Sequence, residues 1–345
     1  MNLRRSLAWR KSMHSMQNSK SAKATAIFIP GQGMWLERIW SALKISSPWL
    51  VSGLLFYWVF SQQDFDAVFS AFKHAQGFAF VAFTVVYLVG TLLVDSIYLH
   101  LSFGYLATSG TFMEMLRVRA ATYALTIINM FVGMGGLVVY MQRRHGVGLK
   151  RGSGIMIVEL LQEVGAMSFV VLLASMFLTD SDSPHILKAI SVAWWLLGFY
   201  ALCYLVSRVS RYLSPNSTRQ DVFRTFDDLR SGQFFKLLGV KIFQNLLHGT
   251  YIVFALLSFG INVPKESAMA FAQVIQLARN MPLNAFGIGV DQLTFATLFS
   301  VFESIPGQVI AFSIAYTFSV LLGRALLGFI YLPHAMRILG EEKHA

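Results

Sequence analysis

Long apolar runs alternate along this chain with short charged stretches. The runs 78–101, 155–178, 186–207, 237–259 and 308–332 each approach or exceed the roughly 20 residues needed to cross about 30 Å of hydrocarbon. A shorter run, 45–60, crosses if its flanks contribute. Within lipid a backbone amide has no water to bond, and none of the runs alternates as a barrel strand does. The pattern therefore predicts helices, each satisfying its own main chain.

Two further apolar stretches do not read as straight crossings. Residues 120–141 lie between basic clusters, with Arg143, Arg144, Lys150 and Arg151 just beyond. A full crossing there would carry an arginine-rich loop outward, against the bias of basic loops toward the cytoplasm. A re-entrant hairpin that enters and leaves from the inside is expected instead, turning at Gly133, Gly135 and Gly136. The second stretch, 267–303, is interrupted by Arg279, Asn280, Pro282, Asn284, Gly287 and Gly289, which excludes one regular helix and predicts a hairpin entered from outside. The fold class expected is an all-α polytopic membrane bundle of about six full spans and two re-entrant helical hairpins. Asn129-Met130 before the first glycine cluster recurs as Asn280-Met281 before the second. With the opposed sides of entry, that echo is what an inverted-topology repeat would leave.

Composition agrees. Of 345 residues 55% are hydrophobic and 13% charged, and mean hydropathy is +0.57, too little polar surface to coat a soluble globule of this size. The net charge of +11 does not point to nucleic acid, because the basic residues gather at the ends of apolar runs. The chain divides into a basic cytoplasmic tail, 1–44, expected to be disordered, a transmembrane domain, 45–332, and a short cytoplasmic tail, 333–345. An alternative start at Met34 stays open. Basic loops placed inside and acidic ones, at Asp180 and Asp182, placed outside put both termini in the cytoplasm of a multi-pass protein of the cell's inner membrane.

Charges inside apolar segments carry whatever chemistry there is. Asp95, Glu159, Glu163, Arg279, Asp291 and Arg324 fall in or beside the runs, where a charge at mid-depth costs about 2.5–3.5 kcal/mol on insertion scales. Glu159 and Glu163, four apart, share one helix face and need water, a proton or a cation. A structural alternative has Glu159 near the cytoplasmic end of its span reaching water, Glu163 paired with a neighbouring cation, and Arg324 paired with Asp95 or Asp291. The glycine clusters lack the strand and lysine of a phosphate loop, no histidines stand at metal-ligand spacing, and no serine sits in a nucleophile elbow. No cofactor, metal or catalytic activity is expected. Cys203, the single cysteine, excludes an internal disulfide.

Asn129, the glycines Gly133 to Gly136, Arg143-Arg144-His145-Gly146-Val147-Gly148 and the pair Glu159 and Glu163 occur in the order seen in one family. With Pro282 and Gly287-Ile288-Gly289-Val290-Asp291-Gln292, this segment resembles the membrane domain of the lysylphosphatidylglycerol synthase/flippase family. The chain departs from the family pattern at Leu160 and at Asp291-Gln292, as a divergent member would. The resemblance implies a flippase-like transporter of a lipid or lipid-linked headgroup, built on two hairpins. Asn129, Glu159, Glu163, Arg279, Asn280 and Asp291 would contact the headgroup. The soluble aminoacyl-transfer module of full-length synthases is not expected after residue 332. The competing expectation is a non-catalytic membrane scaffold holding an envelope lipid- or glycan-modifying enzyme through the basic loop 208–230, and assembly as a homo-oligomer is compatible with either.

Overall fold

The computed structural model describes residues 53, 54, 57, 58, 61, 65–108, 110–127, 130–178, 184–213, 225, 227–280, 287–300, 302 and 306–341. The expected basic tail and most of the first span, 45–60, lie outside them. The described residues form ten helices and no strand: α1 (Phe65–His74), α2 (Gly77–Leu106), α3 (Phe112–Thr126), α4 (Met130–His145), α5 (Leu149–Ser175), α6 (Pro184–Leu213), α7 (Ser231–Ser258), α8 (Lys265–Arg279), α9 (Val290–Phe299) and α10 (Pro306–Glu341). Five of them, α2, α5, α6, α7 and α10, are long and apolar enough to cross a bilayer, and they coincide with the five long runs of the sequence. The protein is an all-helical, multi-pass membrane bundle.

The limits of these helices follow local chemistry. The Thr111 hydroxyl accepts the amide of Glu114 at 3.3 Å, capping α3, and places an acid in the first turn where the helix dipole favours it. The Gln233 side chain reaches back to the amide of Arg230 at 3.0 Å to start α7. Between α8 and α9 the chain turns through Gly287 and Gly289, at φ of +82° and +81°. A Cβ on Gly287 would lie 2.7 Å from Asp291 Oδ1, so this glycine answers both to a left-handed backbone and to a buried carboxylate. Gly287→Ala is expected to lower stability by at least about 1–2 kcal/mol, the cost of the left-handed conformation alone, read as a lowered unfolding temperature in detergent.

Two differences from the sequence reading concern ends. Helix α3 ends at Thr126 and α4 starts at Met130, so Gly133, Gly135 and Gly136 lie inside α4 rather than at a turn. Gly133 and Gly136 press against α3: a Cβ on them would sit 2.3 Å from Thr126 Cγ2 and 2.5 Å from Leu125 Cδ1. These glycines let two short helices close on each other rather than turn the chain. The last helix runs past Leu332, the expected end of the span, to Glu341.

The order long, short, short, long in α2 to α5 recurs in α7 to α10, and the packing recurs with it. Helix α2 packs on α3 as α7 packs on α8, α4 on α5 as α9 on α10, and α3 on α4 as α8 on α9. Across the halves, α10 holds α3 and α5 holds α8, while α2 and α7 pack on each other at the centre. Each half thus clasps the short helices of the other. One core cluster joins α7, α8, α9 and α10 around Phe271, Phe295, Phe299 and Phe312; another joins α2, α4, α5 and α7 around Tyr98, Leu99, Leu137 and Ile155.

Candidate functional site

A hollow of about 100 Å³ opens where these elements converge. Its wall takes Asp95 from α2, Arg119, Tyr123 and Thr126 from α3, Met130 and Met134 from α4, Glu159 and Glu163 from α5, Lys241 and Gln244 from α7, Gln276 and Arg279 from α8, Asn280 just after it, and Arg324 from α10. Asp95, Glu159, Glu163, Lys241 and Arg324 all sit in the middle portion of their long helices, away from the helix ends. The ends of α3 and α8 and the start of α4, where the short pairs break, reach the same place.

Lys241 organises one side. Its ammonium is buried and lies 3.5 Å from Asp95 Oδ1, 3.1 Å from Glu159 Oε1 and 3.1 Å from Glu163 Oε2. It donates as well to Gln244 Oε1 at 3.1 Å and stands 4.6 Å from the centre of the Tyr98 ring. Arg119 bridges two of these acids, at 2.9 Å from Asp95 Oδ2 and 3.4 Å from Glu159 Oε1. The Tyr123 hydroxyl and the Gln244 amide complete Asp95, donating at 3.0 and 2.9 Å. Glu163 Oε1 accepts from Gln276 of α8 at 2.7 Å and from Asn245 at 3.3 Å, tying the second short pair to α5.

Glu159 differs from its neighbours. Its Oε1 takes both Lys241 and Arg119, whereas its Oε2 is buried and finds no hydrogen-bond partner among the described residues. A buried acceptor left empty costs about 1–3 kcal/mol, more when it is charged. Such a group calls for an explanation.

Two further arginines line the hollow, Arg279 and Arg324. Arg279, at the end of α8, donates through Nε to Asp291 Oδ1 at 3.2 Å and Oδ2 at 3.1 Å, and through a terminal nitrogen to Oδ2 as well. The Thr317 hydroxyl also donates to Asp291 Oδ2, at 2.7 Å. The Arg279 guanidinium lies 4.5 Å from the centre of the Tyr316 ring, and that of Arg324 5.1 Å from the centre of the Tyr123 ring.

Of the residues singled out in the sequence, Glu159, Glu163, Arg279 and Asn280 line the hollow together. Asp291 stands behind Arg279, fully buried, as its counter-ion. Asn129 lies outside the described residues. Glu159 is 5% exposed, near the middle of a helix that starts at Leu149, and does not reach water at a span end. The cation beside Glu163 is Lys241, and the cations on Asp95 are Arg119 and Lys241. Sequence reasoning passed over Arg119, Lys241, Gln244 and Gln276. Lys241 carried a usable signal, a lone ammonium inside the run 237–259. Comparison with protein-family models, with curated proteins and with solved structures finds no match to the chain.

Proposed function

We propose that the protein moves the polar head of a lipid or lipid-linked substrate across the cell's inner membrane. The observation that carries this reading is the charged hollow itself: three acids and four bases line it, with a fourth acid, Asp291, behind Arg279, gathered where two pairs of short helices meet. Charges in such a place are costly, and bundles that retain them use them for partners or pathways. Broken helices converging on a midplane site are the arrangement by which transporters hold a polar substrate away from lipid.

In this reading α3–α4 and α8–α9 are re-entrant hairpins dipping from opposite faces, and the run 45–60 with α2, α5, α6, α7 and α10 makes six crossings. Three crossings in each half invert one half relative to the other, in keeping with the recurring packing of α2–α5 and α7–α10. Both termini then face the cytoplasm. The head would enter sideways between the halves, exchange water for Glu159, Glu163, Arg279 and Asn280, and leave on the far side while the acyl chains stay in lipid.

The test is translocation of fluorescent phospholipids in liposomes carrying the full chain. Glu163→Ala and Arg279→Ala are each expected to slow movement at least about tenfold, the effect of losing one charge-assisted contact. Movement at the wild-type rate in both variants would remove the hollow as the path and leave a scaffold for an envelope enzyme as the better reading.

A further inference from the structure

We propose that the head accommodated by this hollow is a zwitterion, a phosphate joined to a primary ammonium, with the ammonium seated on Glu159; this rests on the reading of the hollow as a headgroup site. Glu159 lines the hollow, and its Oε2 is a buried carboxylate oxygen without a donor among the described residues. In the direct ion pairs around it, Asp95, Glu159 and Glu163 meet Lys241 and Arg119, three carboxylates against two cations. An incoming ammonium would fill the empty acceptor in one contact. Arg279 and Arg324 also line the hollow with guanidinium groups, whose planar donor fork matches phosphate oxygens.

Chemistry narrows the head further. A primary ammonium has N–H groups to give Oε2, whereas a trimethylated one has none. A glycerol head can donate but brings no positive charge to the Glu159 carboxylate. A short aminoalkyl phosphate ester meets all of these conditions.

The experiment measures binding apart from movement. Native mass spectrometry of the full chain in detergent would compare short-chain phosphatidylethanolamine with its N-acetylated derivative, with phosphatidylcholine and with phosphatidylglycerol. Phosphatidylethanolamine is expected to bind about tenfold or more tightly than the other three, the ratio expected of one charge-assisted hydrogen bond. Glu159→Gln keeps the shape and removes the charge, and it is expected to bring the four lipids to similar affinities. Equal binding of all four by the wild-type protein would overturn the assignment, and so would a preference that survives Glu159→Gln. Because the first comparison changes only the lipid, poor folding of the variant cannot mask it. Translocation of the same lipids in liposomes is scored separately: preference without movement keeps the zwitterion site and removes transport, and movement without preference does the reverse.

Discussion

Lys241→Met is expected to be the most damaging single exchange of a polar side chain in the protein. Methionine fills nearly the same volume, so the loss is electrostatic rather than steric. It would strip the shared ammonium from Asp95, Glu159 and Glu163, all buried and all within 3.5 Å of it. Breaking a buried ion pair from one side costs about 3–5 kcal/mol, since the partner charge stays behind without compensation. Here three carboxylates would be left with Arg119, which touches only Asp95 and Glu159. The expected results are a much lower yield of folded protein and an unfolding temperature in detergent lowered by several degrees. Adding Glu163→Gln removes the carboxylate that Arg119 does not reach, and the double variant is expected to recover part of the loss. A shift below about 2 °C for Lys241→Met would mean that the three acids do not depend on this ammonium.

That network also marks where sequence reasoning stops. The long helices could be read because hydrocarbon thickness sets a length that water-soluble helices need not meet, and 78–101 or 186–207 meets it without help from neighbours. Which side of each helix faces the protein could not be read in the same way. On α2 the ridge Val81, Val85, Val89, Leu93, Ile97 is exposed, whereas Tyr87, Leu88, Tyr98 and Leu99 are buried, and both sides are apolar. In water the two faces would differ in polarity; in lipid they do not, so the spacing carries no amphipathic signal. Arg119 was lost for a related reason. It stands two residues from Arg117 near the arginine-rich loop, and a rule that assigns basic clusters to the cytoplasm counts it among them. Only the fold brings it to Asp95, which is 24 residues away in sequence. Glu159 and Glu163 were legible as a pair because four residues make one helical turn; their common partner, 82 or 78 residues on, was not.

Helix approach was the other quantity hidden from sequence, and glycines expose it. Three glycines in helical segments are expected to respond to valine in a fixed order. Gly328 in α10 comes last in tolerance: a Cβ there would stand 2.4 Å from the backbone nitrogen of Ala124 in α3 and 2.6 Å from its Cβ. A main-chain atom cannot swing aside, so Gly328→Val must push α10 away from α3. That shift reaches Tyr123, which holds Asp95 and underlies Arg324, and so distorts the hollow. Overpacking costs typically about 1–3 kcal/mol and more where no rotamer relieves it. At Gly323 the obstacle is Leu88 Cδ1 at 2.1 Å, the tip of a side chain that can rotate, so a smaller loss is expected. At Gly135 a Cβ meets nothing within 4 Å, and because glycine is a poor helix residue the exchange is expected to change stability by less than about 1 kcal/mol in either direction. Unfolding temperatures of the three variants in one detergent, with lipid translocation measured beside them, check the order. If Gly328→Val melted with Gly135→Val, α10 and α3 would not be in backbone contact, and the clasp by which each half holds the short helices of the other would be lost with it.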